Sequence, residues 1–257
     1  MSRPVIFAVN VVEELYTAFK GKLFKHIESF FEFEGVDIHM LPIKNGYHCN
    51  IETRAEAIWK KCKEFKTKPH LVGFSVAGID CRNAVNLYGA NAFSVTGICS
   101  PGNGSALAGW AATDKVKLNH LEPALRMIGL PLSAFQDMSH LMPKKVEDRS
   151  DVHMFSISAT KTTADMDLLH RPLAMTLEVL HPDYKSRSDG LFTLEEASWG
   201  YHLLNFEAEH GEMLGSRDIR QVFAPCYRAV IDNLKYIEDK QPHHLTRQLP
   251  KILTPAN

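Results

Sequence analysis

One serine, Ser75, stands where a chain can make a nucleophile of it. It follows the short apolar run from Pro69 to Phe74. It precedes Val76 to Tyr88, where Ile79, Ala84, Val85 and Leu87 recur at helical spacing, so the order is strand, serine, helix. A serine at such a turn is held in a strained backbone conformation, and the residues two before and two after it must be small for strand and helix to pass closely. Gly73 and Ala77 meet that demand, with Ala77 where the strict pattern has glycine. The chemistry would be acyl transfer: the hydroxyl attacks a carbonyl carbon as a base takes its proton, and a buried carboxylate keeps the base in the right tautomer. Two later segments could supply these groups. Ser188-Asp189-Gly190 is a turn tripeptide after a polar loop, with Asp183 as a nearby alternative acid. Glu209-His210-Gly211 is a second loop, beyond a helix-like run that contains Gly200 to Leu203.

Groups so far apart in sequence need a framework that gathers them, and the periodicities describe one. Apolar runs at Arg3 to Asn10, Val36 to Ile43, Pro69 to Phe74, Ala92 to Cys99 and Val152 to Ser158 read as strands. Between them lie helical patterns. Glu13 to Phe33 carries Leu15, Phe19, Leu23, Ile27, Phe30 and Phe31 on one side, a stripe that reads as core. Asn50 can cap Ile51 to Phe65, and Leu168 to Leu180 leads to the acid loop. Alternating strands and helices imply an α/β fold with a doubly wound, mostly parallel sheet, whose ligand crevice lies at the carboxyl ends of the strands. The chain reads as a single domain, 1–257, with a helical insertion at 106–150 and a tail at 241–257. That insertion holds Leu118, Leu121, Leu125 and Ile128, a break at Gly129 to Pro131, then Leu132, Phe135, Met138 and Leu141.

Composition narrows the function classes. A length of 257 residues with 45% hydrophobic residues suits one α/β domain with a large core. The net charge of −1 argues against a nucleic-acid face, and Lys60-Lys61 and Lys144-Lys145 read as solvated surface. The five cysteines, Cys49, Cys62, Cys81, Cys99 and Cys226, show neither C-x-x-C nor zinc-ligand spacing and read as reduced thiols. No segment has the length and apolarity of a membrane span, and the start lacks a secretory signal. An intracellular location is expected, cytoplasmic or organellar, mitochondria included. The glycines of Ser100 to Ser105 are not a phosphate loop, since no Gly-Lys-Ser/Thr follows them. His202 reads as structural, and the adjacent His243-His244 does not by itself make a metal site.

The segment Ser188-Asp-Gly-Leu-Phe-Thr-Leu-Glu-Glu-Ala-Ser-Trp-Gly200, with Glu207-Ala-Glu-His-Gly-Glu-Met-Leu-Gly215 after it, resembles the end of the triacylglycerol lipase family of α/β-hydrolases. Asp80 and Arg82, Cys99 to Ser105 with Trp110, and Phe223 to Leu234 extend the resemblance over most of the chain. It implies a serine esterase or lipase acting on an acyl ester or lipid substrate, with Ser75 as nucleophile, Asp189 as acid and His210 as base. It also implies an oxyanion hole formed by the N–H groups of Val76 and Val11, a cap or lid in the helical insertion, and no cofactor. Some lipases of this type hold calcium through an Asp two residues after the catalytic histidine. Glu212 stands there, and no metal is predicted.

Three positions depart from the family pattern: Val9-Asn10 where it has His-Gly, Ala77 in the turn, and Gly102-Asn103 where it often has His-Arg. All three fall around the crevice. They motivate an alternative, a lipase-like fold kept as a scaffold subunit with protein partners in a larger intracellular assembly.

Overall fold

The structure is a computed structural model, and it describes residues 1–12, 23–45, 50–113, 117, 119, 121–123, 125, 132–141, 147–180, 187–215 and 219–240. Its centre is a sheet in the order β2-β1-β3-β4-β5-β6, with every neighbouring pair parallel. The strands are β1 (Val5–Val12), β2 (Ile38–Asn45), β3 (His70–Phe74), β4 (Ser94–Ile98), β5 (His153–Thr160) and β6 (Tyr201–Glu207). The helices are α1 (Leu23–Phe33), α2 (Ile51–Cys62), α3 (Val76–Asn86), α4 (Ala106–Ala112), α5 (Leu132–Leu141), α6 (Arg171–Leu180), the short α7 (Leu194–Ala197) and α8 (Ala224–Asp239).

Side chains of a strand alternate between faces, and β1 shows how this builds two cores. Val5, Phe7 and Val9 join Ile27 and Phe31 of α1 and Tyr227, Val230 and Leu234 of α8. Ile6 and Ala8 join Ala55 and Ile58 of α2 and Ala77, Cys81 and Ala84 of α3. The sheet is therefore covered on both sides, as the alternation of elements predicts. Pro42 lies in β2, an edge strand, where its missing N–H interrupts no ladder. Asn50 caps α2, its Oδ1 accepting from the N–H of Thr53 at 3.0 Å.

The helix-like run before His210 is instead strand β6, at the sheet edge. The register slips between Ser156 and Ile157, so that Ser156 pairs with His202 but Ile157 pairs with Leu204. Leu203 is the extra residue of a bulge. It breaks the two-residue alternation that marks a strand in sequence, which is why the apolar spacing misleads. His202 lies half-buried between Ser156 Oγ at 3.2 Å and Ser158 Oγ at 3.3 Å, a structural placement.

Of the helical insertion, the backbone of α4 and α5 is described along the length of each helix. Leu107, Ala108, Phe135 and Met138 pack with Val76 and Ile79 of α3 and Leu173 and Leu177 of α6 in a third core beyond the carboxyl ends of the strands. The N-terminal part of the expected helix at Glu13 to Phe33, Asp183, Lys144-Lys145, Cys49 and the tail 241–257 with His243-His244 lie outside the described residues. Cys62, Cys81, Cys99 and Cys226 are buried free thiols. No helix among the described residues is long and apolar enough to cross a membrane.

Candidate active site

Strand β3 ends at Phe74 and α3 begins at Val76, so Ser75 has to turn the chain between them. It does so with φ 57° and ψ −131°, a left-handed backbone that costs a non-glycine residue of the order of 1–3 kcal/mol. Packing holds the strain in place. The turn is so tight that a Cβ on Gly73 would lie 2.5 Å from the backbone of Ala77 and Gly78. Ala77, by contrast, is fully buried in the core between α3 and the sheet, so its methyl group is accommodated there. The Ser75 N–H donates to the Ile98 carbonyl at the end of β4, 2.8 Å away, and fixes the turn to the sheet. Val76 is the first residue of α3, and the N–H groups at a helix start have no partner within the helix. They form a natural site for negative charge.

The acid loop is pinned just past the end of β5 by a bridge from Ser188 to Lys161 and closed on itself by one from Ser188 to Thr193. Asp189, 1% exposed, has both oxygens committed. Oδ1 accepts from the N–H groups of Leu191 at 2.9 Å and Phe192 at 2.8 Å, and Oδ2 faces His210 Nδ1 at 2.6 Å. The His210 N–H also donates to the Asp189 carbonyl at 2.8 Å, so the two residues are held together by main chain as well as side chain. A carboxylate on Nδ1 fixes the tautomer with Nε2 as the nitrogen that takes a proton. The imidazole packs against Phe74, the residue before Ser75, with ring centroids 4.7 Å apart, and against Phe192 at 5.5 Å.

A second polar cluster braces these loops from behind. Gly190 has φ 99°, and a Cβ there would come within 2.7 Å of His170 Cβ. His170 Nδ1 lies 2.9 Å from Asp167 Oδ1, and the Asp167 N–H donates to Glu209 Oε2 at 2.8 Å. Glu212, two residues after the base, accepts from Lys161 Nζ at 2.8 Å and from the Glu209 N–H at 2.9 Å. Among the described residues two groups bring three metal-ligating atoms within 4.8 Å of one another, Cys99 with Asp189 and His210, and Asp167 with His170 and Glu209. In each group the His and Asp are already hydrogen-bonded to each other.

The other side of the elbow holds a buried ion network that the sequence did not announce. Arg54 and Asp80 are both fully buried, with Arg54 Nε 3.1 and 3.0 Å from the two Asp80 oxygens. Arg54 Nη1 reaches Asp137 of α5 at 2.9 Å, and Asn10 Nδ2 donates to Asp80 Oδ2 at 2.6 Å. Burial pushes the Asp80 carboxyl up, and Arg54 and Asn10 pull it back. Arg82 takes Asp148 at 2.6 Å and the Gly102 carbonyl at 2.6 Å, which anchors the Ser100 to Ser105 loop. Cys99, at the end of β4, is fully buried with φ 47°, and burial together with the nearby Asp189 charge raises its thiol pKa well above the ordinary value. Arg54 lacked a sequence signal, because a lone arginine in a Lys- and Glu-rich helix reads as surface.

The fold thus brings Asp189 and His210 into contact, with His210 against the residue that precedes Ser75, and leaves Val76 at the helix start. Val11 is placed differently. The Val5 N–H donates to Asp37 beside β2, and the His70 N–H donates to Pro4, so odd residues of β1 address β2 and even residues address β3. Val11, paired with Lys44, therefore turns its N–H away from Ser75.

A parallel, doubly wound sheet with a strained serine at the β3–α3 turn and an acid and a histidine after later strands defines the α/β-hydrolase fold. Solved structures agree. The chain superposes on mature Bacillus licheniformis lipase BlEst2 with a TM-score of 0.67 at 17% identity, covering 88% of this chain and 92% of that one. A metagenomic carboxyl esterase matches with a TM-score of 0.64 at 14% identity, covering 93% and 76%. Alpha/beta hydrolase domain-containing protein 10 from mouse matches with a TM-score of 0.52 at 14% identity, covering 91% and 90%. At such identities the likeness establishes the fold alone. No protein-family model and no curated protein matches the sequence.

Proposed function

We propose that the protein is a serine esterase or lipase that hydrolyses carboxylic esters of the acyl-glycerol type. The observation that carries this reading is the 2.6 Å contact between His210 Nδ1 and Asp189 Oδ2, set against the same strand end that lifts Ser75 into its strained turn. In the proposed reaction His210 Nε2 takes the Ser75 proton as Oγ bonds to the ester carbonyl carbon, and the carbonyl π electrons move to oxygen. The Val76 N–H at the start of α3 faces that oxyanion. The C–O bond to the alcohol then breaks, and the imidazolium gives its proton to the leaving oxygen. Water, deprotonated by the same histidine, attacks the acyl-serine and releases the acid. Lipases and esterases are among the solved structures that share this fold, which supports the reading.

A second reading, a hydrolase fold retained as a subunit of a larger assembly, draws on one observation: the Val11 N–H faces β2, so the expected second backbone donor is turned away.

The test is labelling with a fluorophosphonate beside a Ser75→Ala control, read with hydrolysis of short and long p-nitrophenyl esters. Labelling that disappears in the variant, with turnover of either ester, is the expected result. A folded protein that neither labels nor turns over would leave the subunit reading.

A further inference from the structure

Two non-glycine residues among those described have a left-handed backbone, Ser75 with φ 57° and Cys99 with φ 47°. The strain of the first belongs to the nucleophile turn of the hydrolase reading. The second follows the end of β4, and strain at a non-glycine residue persists only where the surroundings hold it. Here the main chain holds it on both sides. The Ile98 carbonyl, one residue earlier, takes the Ser75 N–H at 2.8 Å, and the Cys99 N–H donates to the Ile157 carbonyl of β5 at 2.8 Å. The fully buried thiol meets the acid loop: its Sγ, a carboxylate oxygen of Asp189 and a ring nitrogen of His210 all lie within 4.8 Å of one another. Ile98 and Cys99 thus stand between Ser75 on one strand and Asp189 on a loop.

The donors on Asp189 leave room for this thiol. Oδ1 takes the N–H groups of Leu191 and Phe192, one for each lone pair, whereas Oδ2 takes His210 Nδ1 and has a second lone pair to offer. We infer that the Cys99 S–H donates to Asp189 Oδ2 and that Cys99 is a positioning residue for the carboxylate that orients His210, an inference resting on the hydrolase reading above. Burial, the Asp189 charge and a side-chain hydrogen bond to Asp189 all raise the thiol pKa, so the proton that makes this bond stays on sulfur. A thiol is a weak donor, and it restrains the carboxylate without drawing much of its charge away from the imidazole. The bond ties a loop residue to the strand end that also anchors the Ser75 main chain. Acid and nucleophile are then fixed in one frame, which is what a reaction sensitive to small displacements needs.

The experiment compares wild type with Cys99→Ala, Cys99→Ser, Asp189→Asn and the Cys99→Ala/Asp189→Asn pair. It reads the S–H stretching band by infrared difference spectroscopy, kcat and KM on a p-nitrophenyl ester, and thermal midpoints. Subtracting the Cys99→Ala spectrum isolates the Cys99 band. It is expected at lower frequency than the bands of buried Cys62, Cys81 and Cys226, and to move up in Asp189→Asn, where an amide N–H replaces the acceptor. Cys99→Ala keeps a side chain at the same strained φ and is expected to lower kcat roughly tenfold with KM within about twofold. Cys99→Ser restores a donor and is expected to bring kcat back to within about threefold of wild type, which repair of packing alone would not do. The pair is expected to be no slower than Asp189→Asn alone, because the thiol acts through the carboxylate. Should Cys99→Ala fail to fold, the difference between the wild-type and Asp189→Asn spectra still carries the band shift. A Cys99 band that stays in place in Asp189→Asn, or a Cys99→Ala kcat within about twofold of an active wild type, overturns this inference alone. An inert wild type overturns the hydrolase reading beneath it, while the infrared result is read on folded protein without turnover.

Discussion

The ring of His210 rests on the ring of Phe74, with centroids 4.7 Å apart and planes inclined by 47°. The residue that precedes Ser75, the proposed nucleophile, therefore buttresses the proposed base, and any shift of the β3 end moves both side chains together. Phe74→Leu keeps an apolar side chain in this 5% exposed site but loses the flat support. Turnover is expected to fall roughly tenfold to a hundredfold, since misplacement of a catalytic group by about 1 Å is enough for that. Steady-state kinetics beside a thermal melt separates the effect from unfolding.

Asp189→Asn retains an oxygen for the N–H groups of Leu191 and Phe192 and presents an amide to His210 Nδ1. The amide N–H makes Nδ1 the acceptor and moves the ring proton to Nε2, the nitrogen that has to act as base. Turnover at neutral pH is expected to drop by about 10⁴ while the melting temperature barely moves. A variant with near wild-type turnover would remove Asp189 from the mechanism.

Gly73→Ala and Ala77→Gly probe the turn in opposite directions. The first drives a methyl group to 2.5 Å from the backbone of Ala77 and Gly78, and a stability loss of about 1–3 kcal/mol or more is expected in urea unfolding. The second restores the strict elbow pattern and costs about 1 kcal/mol, the usual difference between glycine and alanine in a helix.

Two buried groups give opposite pH slopes. Burial, partly offset by Glu238, lowers the His70 pKa to about 4, so below its ordinary value of 6.5 the unfolded chain binds the proton first and stability falls on acidification. Burial raises Glu196 to about 7 against the N–H donors of Ala106 and Thr193. The folded chain thus holds a proton that the unfolded chain has released, and stability falls as pH rises from about 4.5 to 7. Between about pH 4.5 and 6.5 the two oppose each other. His70→Asn is expected to expose a decline with rising pH and Glu196→Gln a decline with falling pH. Each slope approaches about 1.4 kcal/mol per pH unit, read from urea unfolding across that window. Identical slopes in the two variants would refute the assignment.

What the sequence could reveal follows from which signals are local. The β3 run, the small residues around Ser75 and the Asn50 cap lie within a few residues of what they specify, and all were legible. The β6 strand was not, because the bulge at Leu203 disrupts the alternation that would have marked it. The Asn10–Asp80 contact joins residues 70 positions apart, and a buried Arg54 looks like any charged residue of an amphipathic helix. Val11 was placed by analogy with a backbone turn, whereas the β1–β2 ladder continues through Val12 and sets the direction of its N–H.

The order of the strands also has a consequence for biosynthesis. The turn that carries Ser75 can assemble from β2, β1, β3 and β4, all of which have been made by residue 98. Asp189 and His210 enter only after β5 and on either side of β6, and the lead-in to β1 is fastened last, when Glu238 of α8 takes the N–H groups of Ser2 at 2.6 Å and Arg3 at 2.9 Å. A nascent chain therefore displays Ser75 well before it owns the Asp189–His210 pair that the proposed mechanism needs. On the proposed mechanism the chain would stay chemically silent while it is being made, and arming would coincide with closure of the fold.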